Sequence, residues 1–396
     1  MKKEKCTIVI LTNIMTPYRK FFYDELNEEC KKNNIDFRVL LMAETEYGRH
    51  WNYNELKTEY SILLEHKTKK IGNIEIHFNR GLEKIYREIK PNIVICGGSY
   101  LYPAVWKTIK LKRKYNYEIV EWSESHLNEE RNYNSVKLKI REIIRRKVIG
   151  SFDIFWCAGK FAKEFVEKYA KNDSKYVFTP NLIDTKKFDS INKYTTEDLL
   201  RIKEKYNIDK NKRIMITPAR LSAVKGIKEF LNLYNKCDND NITYLIAGDG
   251  ELKLEISKII EEKKMDVRLL GYKNEDEMLD LYAISDGFIL PSKSDPNPLT
   301  CIEACWCKLP LLVSKHVGNY PEIVKEELNG YVFDYNKTEE AISKINKFIN
   351  SPKEWMKNAK EISYNVARNI YNPNIVVPKI INETIKIYKE RRMKND

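Results

Sequence analysis

Short apolar runs rich in β-branched residues alternate along this chain with segments whose apolar positions recur at helical spacing. In the first half the runs 6–12, 37–42, 93–96, 118–121 and 154–157 predict strands. In the second half the same holds for 213–217, 243–247, 267–270, 287–290 and 311–313. Amphipathic segments at 20–32, 227–236, 252–263 and 275–284 predict helices between them. Strands that alternate with helices in this way imply parallel sheets with helical crossovers. Two separate sets of such units imply two doubly wound α/β domains.

The boundary is expected in the stretch 184–212, where a polar, Lys-rich sequence follows Pro180-Asn181 and precedes the fresh strand at Arg213. Helical patterns at 352–369 and 374–392, broken at Asn372-Pro373, close the chain. The expected division is therefore 1–190, 191–372 and a terminal helix 373–396. At 396 residues the chain is too long for one ordinary core, which agrees with that division.

Composition adds a few constraints. An apolar fraction of 42% with 11% aromatics is that of a globular protein. No apolar run approaches the roughly 18 residues that would span a bilayer. The basic N-terminus leads into a short apolar run that reads as the first strand rather than a secretion signal, so a cytoplasmic location is expected. The eight cysteines are mostly scattered, and in the one cluster Cys301 and Cys305 share a helix face that Cys307 does not; buried free thiols are expected rather than a metal site. The formal charge of +13 suggests an anionic partner: a nucleic acid, a membrane surface or an anionic substrate. The helical stretch 137–148, KLKIREIIRRKV, is apolar on one side and basic on the other, as a helix that docks on anionic headgroups would be.

Residues able to do chemistry gather where predicted strands end. Asp295 lies in a loop after one strand, and Glu303 lies eight positions on, inside the following helix. Arg220 and Lys225 stand five apart between a strand and a helix, a pairing that suits a diphosphate: guanidinium fork, ammonium point charge and helix dipole act together. Gly248-Asp249-Gly250 forms another strand-to-helix turn where glycine lets a ligand approach the backbone closely. Gly318, Pro321 and Glu322 follow a further strand end, where an ordinary turn before a helix explains them equally well. In the first half Gly97-Gly98-Ser99 follows one strand, and Glu124 with His126 follows another. His50, His66, His77 and His316 are weaker candidates.

In order and spacing, Asn181-Leu182-Ile183-Asp184, Arg220-x4-Lys225, the Gly-Asp-Gly turn, Asp295-x7-Glu303 and Gly318…Pro321-Glu322 resemble the signature series of family 4 glycosyltransferases. The resemblance is close over about 213–332 and looser in the first half, through Pro17-Tyr18-Arg19, Gly97-Gly98 and Glu121-Trp122-Ser123-Glu124. It implies a GT-B architecture, two Rossmann-like domains facing a central cleft, the N-terminal one binding acceptor and the C-terminal one binding nucleotide-sugar, with the last helix crossing back onto the first. It implies a retaining glycosyltransferase that moves a sugar from an NDP-sugar to an acceptor hydroxyl. No clustered carboxylate metal site is visible in the sequence, so no required metal and no further cofactor are expected. By the resemblance Arg220 and Lys225 grip the donor diphosphate, and Asp295 contacts the donor sugar. Glu303 holds the ribose, and the backbone at Leu299 and Thr300 meets the phosphates. Gly248, Gly250 and Asn181 belong to the nucleotide-sugar site, and His126 stands near the sugar.

The chain departs from the family pattern in having Asp rather than Glu at position 295, followed by Pro-Asn-Pro, and Thr16-Pro17-Tyr18 in place of an N-terminal Gly-Gly loop. Donor sugar and acceptor therefore do not carry over from other members. A basic, non-spanning transferase suggests a lipid-linked saccharide acceptor in surface polysaccharide or glycoconjugate synthesis, at the inner membrane face. Two other readings remain at this level. A GT-B-like epimerase of sugar nucleotides would act without an acceptor, and NDP release strictly dependent on an added acceptor separates the two. A polyanion- or nucleic-acid-binding protein would explain the charge, but its cations are spread over helices and no nucleic-acid motif appears.

Overall fold

The computed structural model describes residues 5–47, 51–71, 74–127 and 135–395, and His50 lies outside them. The chain divides into two compact units: Met1–Leu182 together with Pro373–Asp396, and Ile183–Asn372.

The first unit contains β1 (Thr7–Thr12), β2 (Asp36–Leu41), β3 (Ser61–Leu63), β4 (His66–Ile71), β5 (Ile74–Asn79), β6 (Ile93–Gly97), β7 (Glu118–Ser123), β8 (Ile154–Cys157) and β9 (Lys175–Phe178). Its 7-stranded sheet runs β3-β2-β1-β6-β7-β8-β9 with every neighbouring pair parallel. β4 and β5 form a separate antiparallel hairpin. All of β1 and β8 is buried, as strands covered on both faces must be. After β1 the helix Pro17–Lys32 starts sharply. Pro17 occupies its first turn, and the Thr16 hydroxyl accepts from the backbone N–H of Arg19. The closing helix Pro373–Asn395 packs in this unit. Trp156 Nε1 donates to Thr384 Oγ1 at 2.9 Å, and Arg391 pairs with Glu118 at 3.1 Å and Asp153 at 3.0 Å.

The second unit contains β10 (Arg213–Pro218), β11 (Ile242–Ala247), β12 (Val267–Gly271), β13 (Gly287–Leu290), β14 (Leu311–Ser314) and β15 (Gly330–Phe333). These form a 6-stranded parallel sheet in the order β12-β11-β10-β13-β14-β15. Strand order reverses between β10 and β13 here, and between β1 and β6 in the first unit. At such a reversal the loops on either side diverge and leave a crevice beyond the carboxyl ends of the strands.

All the strands expected from apolar runs are present. β3, the β4–β5 hairpin, β9 and β15 are additional; β4 reads HKTKKI and β9 is exposed at both ends, so neither shows an apolar run. The polar stretch after Asp184 is not an open linker. It folds as the helix Thr185–Phe188, a 3-10 turn at Asp189–Lys193 and the helix Thr196–Lys205, whose start is closed by a capping box between Thr195 and Asp198. Tyr194 donates to Asp280 at 2.6 Å, and Trp306 Nε1 donates to Asp189 at 2.8 Å, tying the stretch to the second unit.

Candidate active site

The reversal in the second unit is where the carboxylates and cations meet. β10 ends at Pro218 and the chain turns through Ala219-Arg220-Leu221. The backbone N–H groups of Ala219 and Leu221 donate to the carbonyls of Ala247 and Asp249, both at 2.9 Å. This lays the Arg220 loop against the turn carrying Gly248 and Gly250. A Cβ on Gly250 would stand 2.4 Å from the Leu221 carbonyl oxygen, so the turn needs glycine for that approach. The Arg220 side chain is exposed and makes no ion pair among the described residues.

Lys225 ends the 3-10 turn Ala223–Lys225, directly before the helix Ile227–Tyr234. Its Nζ lies 2.5 Å from Asp295 Oδ2, and the pair is largely out of solvent, with side-chain exposures of 25% and 12%. The loop carrying Asp295 is held from both sides. Lys293 N–H donates to the Val224 carbonyl at 2.8 Å, while Tyr335 OH donates to the carbonyls of Pro291 and Gly226 at 2.6 and 3.1 Å. On the other side Gly318 N–H donates to the Asp295 carbonyl at 2.7 Å, and Asn319 Nδ2 donates to the Pro298 carbonyl at 3.0 Å.

Pro298 also caps the helix Leu299–Trp306 without a capping side chain, and its first turn contains no acidic residue. The first N–H groups of a helix, here those of Leu299 and Thr300, have no intrahelical partner and carry the positive end of the dipole. One turn further, Glu303 Oε2 accepts from Tyr282 OH at 2.8 Å. Burial pushes the Glu303 carboxyl up to about 7, against the opposing effects of that hydrogen bond and of Lys187. Arg220, Lys225, Asp295, Leu299, Thr300, Glu303, Gly248 and Gly250 thus all lie in loops and a helix start at the carboxyl ends of β10, β11 and β13. Pro321 and Glu322 lie in the short helix Tyr320–Ile323, which begins after Asn319.

His126 and Asn181 lie in the first unit. His126 is buried, with its ring centroid 6.1 Å from that of Phe161, and Asn181 is buried as well. Cys301, Cys305 and Cys307 are buried free thiols, and burial raises the pKa of each. Tyr282 and Tyr335, which hold Glu303 and the Asp295 loop, carry no signal in the sequence: Tyr282 reads as a core aromatic of its helix, and Tyr335 as one residue of a polar turn after β15. The first unit also holds an unexpected ion pair between Arg19 and Glu124, with the Arg19 guanidinium 3.9 Å over the Trp122 ring. The looser resemblance through Pro17-Tyr18-Arg19 and Glu121-Trp122-Ser123-Glu124 named these residues but not their pairing.

Two parallel sheets, each reversing its strand order, define an α/β protein of GT-B architecture. The fold superposes on the crystal structure of Anabaena HepE in complex with UDP and glucose with a TM-score of 0.70, at 13% identity, over 96% of this chain and 99% of that one. By sequence, the model of "Glycosyl transferases group 1" matches residues 200–367, so that part of the chain is similar to that family. It is similar to the Acholeplasma laidlawii alpha-monoglucosyldiacylglycerol synthase, 28% identical over 210 residues, which are 51% of this chain and 51% of that protein. It is also similar to the Streptococcus pneumoniae alpha-galactosylglucosyldiacylglycerol synthase, 25% identical over 177 residues, 41% of this chain and 46% of that protein. The chain thus matches about half the length of these curated relatives.

Proposed function

We propose that this protein transfers a glycosyl group from an NDP-sugar to a hydroxyl of a lipid-linked saccharide, with retention of anomeric configuration. The observation that carries the reading is the convergence of Arg220, the Lys225–Asp295 pair, Glu303 and the uncapped helix start at Leu299 on one sheet reversal. A diphosphate suits the two cations and the helix N-terminus. The ribose hydroxyls suit Glu303, and the donor sugar suits Asp295.

In the reaction, positive charge grows on the sugar ring as the bond to the diphosphate breaks. Arg220 and Lys225 stabilise the negative charge that develops on the leaving group, the kind of preorganised contact whose loss costs about 10²–10³ in rate. The acceptor hydroxyl attacks from the face the diphosphate leaves, and the departing phosphate oxygen takes its proton. No residue of the cluster is required as a covalent nucleophile. The cations already neutralise the leaving group, so no metal is required and activity should survive EDTA.

The first unit would receive the acceptor. Two relatives are named as diacylglycerol glycolipid synthases, which favours a lipid acceptor. Among the described residues no helix is long and apolar enough to cross a membrane. The helix Ser135–Ile149 instead exposes Val136, Ile140 and Ile143, at 64%, 53% and 67%, beside the exposed cations Lys139, Arg146 and Lys147. A peripheral contact with an anionic, cytoplasmic membrane face fits that surface.

A panel of UDP-, GDP- and other NDP-sugars tests the reading by thermal shift and by NDP release. At least one donor should stabilise the wild type, and Arg220→Ala and Glu303→Ala should each lose that stabilisation. Retention of it by both variants would place the donor elsewhere. A new sugar nucleotide formed without any acceptor and without net release of NDP would favour an epimerase.

A further inference from the structure

The amino ends of the second sheet carry a second gathering of cations, at the opposite end of the strands from Arg220 and Asp295. There a cavity of ≈ 770 Å³ opens between the helix Thr196–Lys205, the starts of β10 and β11, and the helix Lys353–Tyr371. Lys203, Lys210, Lys212 and Arg213 line it, and the first turns of the later helix add Lys353, Lys357 and Lys360. Asp286 is the one carboxylate among the described lining residues, and it already accepts from the Ile214 backbone N–H at 3.0 Å. Lys210 pairs with Glu204 at 3.3 Å, Lys212 with Asp266 at 3.0 Å and Lys360 with Asp286 at 3.6 Å. Lys203, Arg213, Lys353 and Lys357 make no ion pair among the described residues, and Arg213 Nη1 donates to the Ile349 carbonyl at 2.7 Å. Lys353, Lys357 and Lys360 share one helix face at i, i+4 and i+7, where like charges repel. Elsewhere helix lysines of this chain face carboxylates at that spacing, as Lys163 does Glu167 and Lys258 does Glu262. Cations kept together on a concave wall despite their repulsion focus a field that an anion completes.

We propose that this cavity binds a small soluble polyanion carrying at least two linked phosphoryl groups. The unpaired cations exceed what a monoanion neutralises, and a guanidinium fork beside ammonium groups suits phosphoryl oxygens. The helix start adds to them, because its N-cap, Pro352, offers no capping side chain and leaves N–H groups of the first turn open to an anion. Glu354 shares that turn but does not line the cavity. The volume falls in the range of small-ligand sites, roughly 300–1,000 Å³. No aromatic side chain is among the described lining residues, so a nucleic acid would find nothing for its bases to stack on. The apolar lining residues Ile242, Ile349 and Met356 are buried, so the cavity offers a bilayer nothing to insert. The length of β10, about 20 Å, separates this cavity from the Arg220 loop, so one diphosphate cannot occupy both. The assignment stands independently of the proposed transfer.

Titration calorimetry on the full chain at fixed ionic strength tests it, with tripolyphosphate and pyrophosphate as probes and sulfate as the control for plain screening. In an Arg220→Ala background, which weakens the proposed donor site, tripolyphosphate should still bind. Adding Lys353→Gln and Lys357→Gln should weaken that binding at least about tenfold. Both lysines are exposed, so the thermal midpoint should stay unchanged or rise, which reports that the variant has folded. Equal affinity with and without the two lysine substitutions would overturn the proposal, as would tripolyphosphate binding that Arg220→Ala alone abolishes. So would sulfate binding as tightly as tripolyphosphate, or no binding of either polyphosphate. Phosphatidylglycerol vesicles form the last arm. Retention on them that needs Lys353 and Lys357, without binding of tripolyphosphate, would assign the face to lipid headgroups and overturn the soluble ligand.

Discussion

Arg220 and Lys225 have the same charge and the same expected ligand, but the structure gives them different duties. Arg220 is exposed and without an ion pair among the described residues, so it is free for a ligand. Lys225 is bound to Asp295 at 2.5 Å in a mostly buried pair, which fixes the loop after β13 as well as placing a cation. Removing one partner of such a pair leaves the other desolvated and uncompensated, typically at about 1–3 kcal/mol. An exposed substitution usually stays within about 0.5 kcal/mol. Denaturant unfolding of the ligand-free protein should therefore separate the two: Arg220→Ala unchanged, Lys225→Ala less stable by about 1–3 kcal/mol. Both should lose about 10²–10³ in turnover once a donor is known. Equal stabilities would mean that the Lys225–Asp295 pair contributes nothing to the loop, and that Lys225 is simply a second ligand cation.

At the scale of elements, the site depends on how closely the loops after β13 and β14 approach. A Cβ on Gly318 would stand 1.7 Å from the Pro296 carbonyl oxygen, closer than any atom pair tolerates, and the neighbour is backbone rather than a flexible side chain. Gly318→Ala should push the Asp295 loop outward, at a cost of about 1–3 kcal/mol typical of overpacking. Donor stabilisation in thermal shift should fall with it, although no ligand contact is removed. An unchanged donor response would show that the loop position is not critical. The same close packing explains what the sequence could and could not disclose. Strands covered on both faces write themselves as apolar runs, and so β1, β6, β10, β11 and β13 were visible, and with them the loop positions of Arg220 and Asp295. The Lys225–Asp295 bond, the Tyr282–Glu303 bond and the support from Tyr335 on Pro291 join residues 70, 21 and 44 positions apart. Side-chain spacing along the chain has no way to announce them. The helices within the polar stretch 184–212 were not legible for the converse reason. They bury few apolar side chains and are anchored by single polar contacts such as Tyr194–Asp280.

For the molecule as a whole, the +13 charge has more than one outlet. On the proposed reading, Arg220 and Lys225 would meet a diphosphate, and many surface lysines sit in exposed helix ion pairs such as Lys163–Glu167 and Lys258–Glu262, which contribute little. The helix Ser135–Ile149 is different, because its cations flank apolar side chains that are left in water. Val136, Ile140 and Ile143 follow one another at helical spacing and are each more than half exposed. Long-range attraction by the cations would bring an anionic bilayer close, and insertion of the three side chains would then hold it. At about 1.5 kcal/mol for each side chain moved from water into the acyl boundary, their loss should weaken binding at least about 10²-fold. Co-sedimentation with phosphatidylglycerol vesicles should therefore be strong for the wild type, weaker with phosphatidylcholine, and nearly absent for the Val136→Ser, Ile140→Ser, Ile143→Ser triple variant. Because those positions are solvent-exposed, the triple variant should keep the wild-type thermal midpoint and the same response to the donor. If it sediments as the wild type does, the surface that meets the membrane lies elsewhere. If the wild type ignores both vesicles, the proposed acceptor reaches this protein without a membrane contact made by this helix.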